Sequence, residues 1–272
     1  MRKTIVVAVI FIAASWGMAQ PNPLNISPQF LRPHLSQAGD TFSVCIAEDS
    51  YLRDLELAVA QEIADVLLLN LEPVFFALPW GSRPYDYALS TESEDIFVLL
   101  TNECDAIFSV QVPKRQIDDW LAISRPLFST RYVLTTADEE ISRLGDIPPG
   151  NQIGVRISST ADLDLAAYNL ALSKDQRWQR LQYQDQEGLA KRIADGTVQA
   201  GFIWKPALSE LEQELGTKLR MIDPSPITEP MVVFAAGVLA QNTYLLQELD
   251  KAISYLDESG VLGEIAQEYG AE

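Results

Sequence analysis

The stretch DGTVQAGFIWKP, residues 195–206, contains an uncharged apolar segment that ends on a large aromatic side chain. The turn pair Asp195 and Gly196 precedes it, and Pro206, which cannot donate to a sheet ladder, marks its end. Residues 200–204 therefore predict a buried strand with Trp204 at its carboxyl end. Such strand ends line ligand crevices in open α/β sheets, so Trp204 is either a core side chain or a wall of a binding site.

The segments on either side alternate between strand and helix patterns. In the first series, strands are predicted at 42–47, 74–78 and 105–110, with helices at 54–70 and 94–101. In the second, strands are predicted at 131–136, 152–157 and near Tyr183, with helices from Asp162 and Glu187. Residues 229–239 are extended, and helices at 243–257 and 261–268 close the chain. This order predicts an α/β fold of two lobes with parallel-type sheets, joined by two extended crossovers around a cleft.

The amino-terminal residues predict export. A basic start, an apolar run at 5–14 and small residues before position 20 are typical of a secretory signal peptide, here 1–19. We expect Sec-dependent secretion to the periplasm or cell exterior, without stable membrane insertion. The expected organisation is an extended arm at 20–40, one lobe from 41–132 and 236–272, and a second lobe from 133–235.

The formal charge of −18 argues against nucleic acid as a partner, because nucleic acid requires positive patches. The scattered acids serve solubility, or they attract a cationic ligand or a basic partner. The single histidine, His34, and two cysteines cannot build a metal site, so no metal and no cofactor are expected.

Cys45 and Cys104 leave one disulfide open as a possibility. If both lie in neighbouring parallel strands, their Cα atoms are about 7–10 Å apart, which disfavours a bridge.

Several segments, in this order and spacing, resemble extracytoplasmic solute-binding proteins of family 3, the class that feeds amino acids and similar solutes to ABC importers. The carrying segments are FSVCIAED (42–49), ECDAIFSVQVPKR (103–115), ISRPLFSTRYVLTT (123–136), QIGVRISSTADL (152–163), GTVQAGFIWKPAL (196–208) and ELDKAISYLDESGVLGEIAQEYG (248–270). The resemblance implies the type II periplasmic-binding-protein fold, a small-molecule ligand, an ABC permease as partner and a monomeric protein.

A subgroup is more similar still: binding-protein-like components found with pyrroloquinoline-quinone alcohol dehydrogenases. Its members share a cysteine in the first strand, Cys-Asp before the third strand, Arg-Pro in the crossover and Trp-x-Pro at 204–206. This sequence departs from the subgroup in residues 48–51, which are Glu-Asp-Ser-Tyr instead of a Pro/Asn-rich loop, and in the tract 83–93.

Arg115 is the residue that the resemblance implies for clamping a ligand carboxylate. The hydroxyl usually found five residues earlier is Val110 here, so Ser109 or Gln111 would supply the companion hydrogen bond. The alternative is a solvated arginine beside Asp118 and Asp119.

Two further groups of candidates lie at predicted strand ends. Ser159 and Thr160 precede a helix, where they cap its first turn and can also contact an anion. The first strand of the first lobe is followed by Asp49 and Tyr51, and the second by Trp80. The alternative is that these aromatic residues are scattered surface side chains, which need no functional explanation.

Trp204 occupies the position where amino-acid binders of this class place an aspartate for the ligand ammonium. Its indole can only donate a hydrogen bond, so an apolar, aromatic or cationic solute is favoured over a standard α-amino acid. The leading function is non-enzymatic capture of a small polar or aromatic/cationic solute in the interlobe cleft for an ABC importer. The alternatives are an accessory protein of a quinoprotein dehydrogenase and, third, a carboxylate-dependent dehydratase on the same fold.

Overall fold

A computed structural model describes residues 24, 26–27, 39–77, 93–112, 117–228 and 230–271 of the chain, with only the backbone at Ser93 and Ser109. The predicted signal peptide at 1–19 lies outside the described residues, as does most of the predicted arm at 20–40.

Strands and helices alternate along the described chain, as the sequence predicts. The strands are β1 (Thr41–Ala47), β2 (Asn70–Phe76), β3 (Ala106–Gln111), β4 (Leu121–Thr136), β5 (Gln152–Arg156), β6 (Gln179–Tyr183), β7 (Ala200–Trp204), β8 (Arg220–Met221) and β9 (Met231–Leu239). The helices are α1 (Arg53–Leu67), α2 (Ser93–Asn102), α3 (Thr160–Ala171), α4 (Gln186–Ala194), α5 (Lys205–Leu215), α6 (Thr243–Glu258) and α7 (Val261–Glu268).

The strands follow one another in the order β2-β1-β3-β9-β4-β7-β5-β6, and β8 pairs with β4. The pairs β1–β2, β1–β3, β5–β6 and β5–β7 are parallel, whereas β4 and β9 run antiparallel to their neighbours. The long strand β4 pairs with β9 as far as Arg131 and with β7 from Tyr132 onward. One strand therefore belongs to both halves of the sheet; the residue boundaries of the two lobes stay a prediction.

Strand β2 begins four residues earlier than predicted. It pairs with β1 along its whole length, from Thr41 opposite Asn70 to Ala47 opposite Phe76. Pro73 lies inside this strand, and such a proline argues against a central strand. It is tolerated because β2 is the edge strand among the described strands, where one row of N–H groups faces no other described strand.

Cys45 and Cys104 form a disulfide bond with a Cα–Cα distance of 5.7 Å, so the larger separation expected from the sequence is wrong. That expectation placed Cys104 in the strand. Strand β3 instead begins at Ala106, and Cys104 lies in the turn after α2, where its N–H donates to the carbonyl of Leu99 (3.1 Å). The bond is buried in an apolar cluster against which Leu24 and Ile26 of the amino-terminal arm pack.

Two glycines let a helix approach the second half of the sheet closely. Gly154 and Gly201 are paired across β5 and β7. An added Cβ atom would lie 2.2 Å from the Leu189 side chain at Gly154 and 2.8 Å from the Ile193 side chain at Gly201, both on α4. The Ala-Gly-Phe sequence of β7 thus permits the packing of α4 that brings Gln186 beside Trp204.

Candidate functional site

The loop after β1 forms one wall of a cavity of about 350 Å³. The predicted residues Asp49 and Tyr51 both line it, together with Glu48, Ser50, Arg53 and Asp54. Glu210, on α5 in the other half of the fold, completes the lining. The cavity therefore combines side chains from both halves of the sheet.

Ser50 holds the loop in its turn. Its N–H donates to the carbonyl of Ala47 (3.3 Å), and its hydroxyl accepts from the N–H of Leu52 (3.0 Å). Its carbonyl accepts from the N–H of Arg53 (3.1 Å), where α1 begins. These bonds are local consequences of a serine in a tight turn, and they set the position of Asp49 and Tyr51 at the cavity.

The cavity is strongly acidic. Its four carboxylates face a single guanidinium, that of Arg53, whose Nε lies 2.8 Å from Oδ1 of Asp54. The hydrogen bond that Arg53 donates to Asp54 raises the pKa of Arg53, and the negative charges of Asp54, Glu48 and Glu210 raise it further. The lining thus contains more acidic than basic side chains, so the field in the cavity favours a cation over an anion.

Trp204 is fully buried at the carboxyl end of β7. Its ring centroid lies 4.9 Å from that of Tyr132 on β4 and 6.0 Å from that of Phe234 on β9. Its backbone N–H donates to Oε1 of Gln186 (3.2 Å). We call Tyr132, Trp204 and Phe234 the aromatic cluster. Its burial fits a core role for Trp204, and ligand contact stays a prediction.

The loop before α3 is held by one buried carboxylate. Oδ2 of Asp162 accepts from the N–H of Ser158 (3.0 Å) and from Nε2 of Gln182 (2.7 Å), while Oδ1 accepts from Nη1 of Arg180 (2.9 Å). Ser158 adopts a φ of 62°, a left-handed conformation that is uncommon for serine. The side chain of Asp162 thus stabilises the turn that carries the predicted residues Ser159 and Thr160.

Ser159 and Thr160 begin α3, close to where they were predicted. The hydroxyl of Ser159 is buried and accepts from the N–H of Asp162 (3.1 Å), which is the predicted capping interaction. The hydroxyl of Thr160 is also buried, and no hydrogen-bond partner for it is found in the described part of the chain. A ligand contact by either side chain stays a prediction.

The remaining predicted residues are only partly covered by the structure. Arg115 and Trp80 lie outside the described residues, and the side chain of Ser109 is not described. Gln111 is half-buried at the end of β3, where its backbone pairs with Phe234 of the aromatic cluster.

Comparison with known proteins rests on solved structures, because no family model and no curated protein matches the sequence. A probable amino-acid ABC transporter extracellular-binding protein, ytmK from Bacillus subtilis, is 12% identical, with a TM-score of 0.65 over 85% of this chain and 98% of its own. MxaJ from Methlophaga aminisulfidivorans is 20% identical, with a TM-score of 0.55 over 85% of this chain and 99% of its own. The periplasmic binding protein XoxJ from Methylobacterium extorquens is 18% identical, with a TM-score of 0.54 over 85% of this chain and 97% of its own.

The chain has the two-lobed type II periplasmic-binding-protein fold. The predicted fold class is therefore confirmed, and so is the resemblance to binding proteins of amino-acid ABC transporters at the level of structure. The acidic cavity takes its lining from both halves of the sheet, because the loop after β1 and helix α5 belong to different halves.

Glu210 is the cavity residue that the sequence analysis did not identify. It lies on α5, which starts directly after β7 with Pro206 in its first turn. Proline is accepted there because the first N–H groups of a helix have no partner within the helix. The apolar positions Ala207, Leu208 and Leu211 show a helical spacing that could have indicated α5 and the outward position of Glu210.

The described residues contain neither a metal-binding cluster nor a membrane-spanning helix. No group of three or more histidine, cysteine, aspartate or glutamate side chains is arranged to hold a metal ion within these ranges. Among the described helices, none combines the length and the apolar character required to cross a membrane.

Proposed function

We propose that this protein is an exported solute-binding protein that captures a small cationic solute between its lobes and presents it to an ABC importer. The observation that carries the proposal is the acidic cavity formed by the loop after β1 and Glu210 of α5. Its volume is that of a small-molecule site.

The charge of the cavity supports a cationic rather than an anionic solute. A cation that enters a closing cleft loses hydration, and this loss is costly unless carboxylates replace the water. Asp49 and Glu210 can supply such contacts from opposite sides, and Tyr51 can add a cation–π contact. Trp204 cannot take the place of a carboxylate, because its indole has no acceptor, and its buried side chain is not part of the cavity lining.

The same arrangement provides a reason for the lobes to close on a solute. Asp49 and Glu210 carry like charges on different lobes, so their mutual repulsion disfavours close approach when the cavity holds no cation. A bound cation interacts favourably with both and therefore stabilises the closed state relative to the open one. Capture and domain closure are coupled through these two carboxylates.

A solute screen by thermal shift, followed by calorimetry, tests the proposal. We expect 1,4-diaminobutane or lysine to raise the melting temperature of the protein, with an effect that weakens at high salt, and glutamate and benzoate to have none. Glu210→Gln and Asp49→Asn should each weaken binding about tenfold. Glu214→Gln, an exposed substitution on the same helix outside the cavity lining, is the matched control and should leave affinity unchanged. Equal binding of anionic solutes, or an unchanged affinity in Glu210→Gln, would contradict the proposal.

The location and partner of the protein belong to the same proposal. The predicted signal peptide at 1–19 sends the chain out of the cytoplasm, and a permease in the inner membrane then receives the solute. Genes for a permease and an ATPase beside this gene would support import.

A second candidate function is that of an accessory protein of a periplasmic quinoprotein dehydrogenase. The aromatic cluster favours it, because Trp204 fills with a buried ring the position where amino-acid binders carry an aspartate. Such a protein keeps the two-lobed fold and binds a protein instead of a solute. Co-purification with a quinoprotein dehydrogenase, together with no thermal shift by any solute, would favour this function over import.

A further inference from the structure

A second cavity, of about 460 Å³, lies between the two long strands and the carboxyl-terminal helices. Strands β4 and β9 form one side of it, and helices α6 and α7 form the other. It shares no lining residue with the acidic cavity. We call it the hinge cavity, since β4, the strand that pairs with both halves of the sheet, contributes to it. Its lining includes Arg125, Phe128, Ser129, Ile253, Asp257 and Leu262.

An irregularity in β4 places Arg125 at this cavity. The pairing of β4 with β9 shifts register on both sides of Pro126, where the missing N–H interrupts the ladder. The N–H of Arg125 donates to Oδ1 of Asp250 on α6 (2.8 Å) instead of to β9. Arg125 therefore leaves the ladder, and its exposed side chain becomes part of the cavity lining.

Two oppositely charged side chains line the hinge cavity without a bonding partner among the described residues. Within the described ranges, neither the guanidinium of Arg125 nor the carboxylate of Asp257 makes a hydrogen bond or an ion pair with another residue.

Arg125 and Asp257 meet the cavity about two helical turns apart, as measured from the backbone of Arg125 along α6. Asp250, which accepts the N–H of Arg125, and Asp257 are seven residues apart on α6. They therefore share a face of the helix and are separated by about 10 Å along its axis. The side chains of Leu127, Ile253 and Leu262 are buried and give the cavity an apolar floor.

We infer that the hinge cavity binds a small elongated molecule with a carboxylate at one end, an ammonium group at the other and an apolar chain between them. The carboxylate pairs with Arg125, the ammonium group pairs with Asp257, and the chain covers the apolar floor. A ligand with only one charge leaves the opposite protein charge unpaired beside bound apolar groups, so it binds more weakly.

Gly263 on α7 offers a way to close this cavity without disturbing the fold. A Cβ atom added at Gly263 meets no other atom within 4 Å, and the residue is helical. A phenylalanine there should occupy the cavity, and replacing a helical glycine should not lower the melting temperature.

Calorimetry on the full chain with three probes of equal carbon number tests the inference. We expect 6-aminohexanoate to bind, and hexanoate and hexylamine to bind about tenfold more weakly. Arg125→Gln and Asp257→Asn should each weaken 6-aminohexanoate about tenfold, and Gly263→Phe should abolish binding. Lys174→Gln, an exposed cation outside the cavity, and Glu210→Gln, in the acidic cavity, should leave it unchanged. The amide NMR signal of Gly263 should shift on binding.

Several results would contradict the inference that the hinge cavity binds such a molecule. No saturable heat and no shift of the Gly263 signal would overturn the inference. An unchanged affinity in Arg125→Gln, or hexanoate binding as tightly as 6-aminohexanoate, would also overturn it. Loss of binding in Glu210→Gln alone would assign the probe to the acidic cavity and contradict the inference while supporting the proposed function.

Discussion

Tyr132 of β4 and Trp204 of β7 are paired across an antiparallel ladder, and their ring centroids are 4.9 Å apart. Tyr132 is the first residue of β4 that pairs with the second half of the sheet, while Arg131 before it still pairs with β9. The largest side chain of β7 is therefore packed at the point where the chain passes from one half of the fold to the other.

Removing the Trp204 ring should destabilise the protein. Because the side chain is fully buried, Trp204→Ala is expected to lower the free energy of unfolding by about 3–5 kcal/mol. The effects of Trp204→Ala and Phe234→Ala on the free energy of unfolding should depart from additivity by about 0.5–1.5 kcal/mol, since the two rings are in contact. Urea unfolding of the two single variants and the double variant measures both quantities. Strict additivity would show that the aromatic cluster has no pairwise energy of its own.

Reducing the disulfide should have a large effect on stability. Cys45 and Cys104 are 59 residues apart, and the loop-entropy model assigns such a crosslink about 4 kcal/mol. We expect reductant to lower the urea midpoint of the wild type to that of the Cys45→Ala, Cys104→Ala double variant. The double variant is its own control, because reductant should leave its midpoint unchanged. A wild-type midpoint that does not respond to reductant would contradict the prediction.

Leu68 should be replaceable by glycine with a gain in stability. It ends α1 in a left-handed conformation, with φ 58° and ψ 38°, and its side chain is 88% exposed. Leu68→Gly removes the steric cost of this conformation and should raise the free energy of unfolding by about 0.5–1 kcal/mol. Leu170→Gly is the matched control: Leu170 is 73% exposed within α3, so glycine there should cost about 1 kcal/mol. A loss of stability in Leu68→Gly would refute the argument.

The carboxyl group of Asp146 should titrate at lower pH than an ordinary aspartate. The hydrogen bond from Arg143 lowers its pKa, and the N–H groups of Ser142 and Arg143 lower it further. A lowered folded-state pKa means that this group stabilises the fold above its unfolded pKa. That contribution is lost as the pH falls through the folded pKa.

An NMR titration of the side-chain carboxyl carbons checks this prediction. In Arg143→Gln the pKa of Asp146 should rise toward its ordinary value. Asp175, whose pKa is lowered chiefly by a hydrogen bond from Ser173, should not change. A pKa of Asp146 that is the same in both proteins would assign the shift to the backbone N–H groups alone.

Most of the secondary structure could be predicted because it follows from local patterns. The helical spacing of apolar residues places α1, and the uncharged run Ala200–Trp204 is strand β7. Errors occur where a neighbouring element overrides a local signal. Pro73 is compatible with β2 only because that strand is the edge strand among the described strands, and Cys104 reaches Cys45 only because the turn after α2 brings it there.

Only part of the candidate site could be predicted from the sequence. Asp49 and Tyr51 could be proposed because they follow a predicted strand, and strand ends meet at one edge of a parallel sheet. Their partner Glu210 is about 160 residues further along the chain, and no spacing rule connects the two segments.

The order of strands and helices, the α/β class and the acidic charge follow from the sequence, because these depend on side-chain type and short-range periodicity. Which distant side chains come together depends on the tertiary structure: Glu210 and Asp49 line one cavity, Trp204 packs against Tyr132 and Phe234, and Arg125 and Asp257 line the hinge cavity. The physical reason is that such meetings depend on the strand order β2-β1-β3-β9-β4-β7-β5-β6 and on the passage of β4 between both halves of the sheet. Long-range pairing of this kind is a property of the whole packed chain and leaves no local signal.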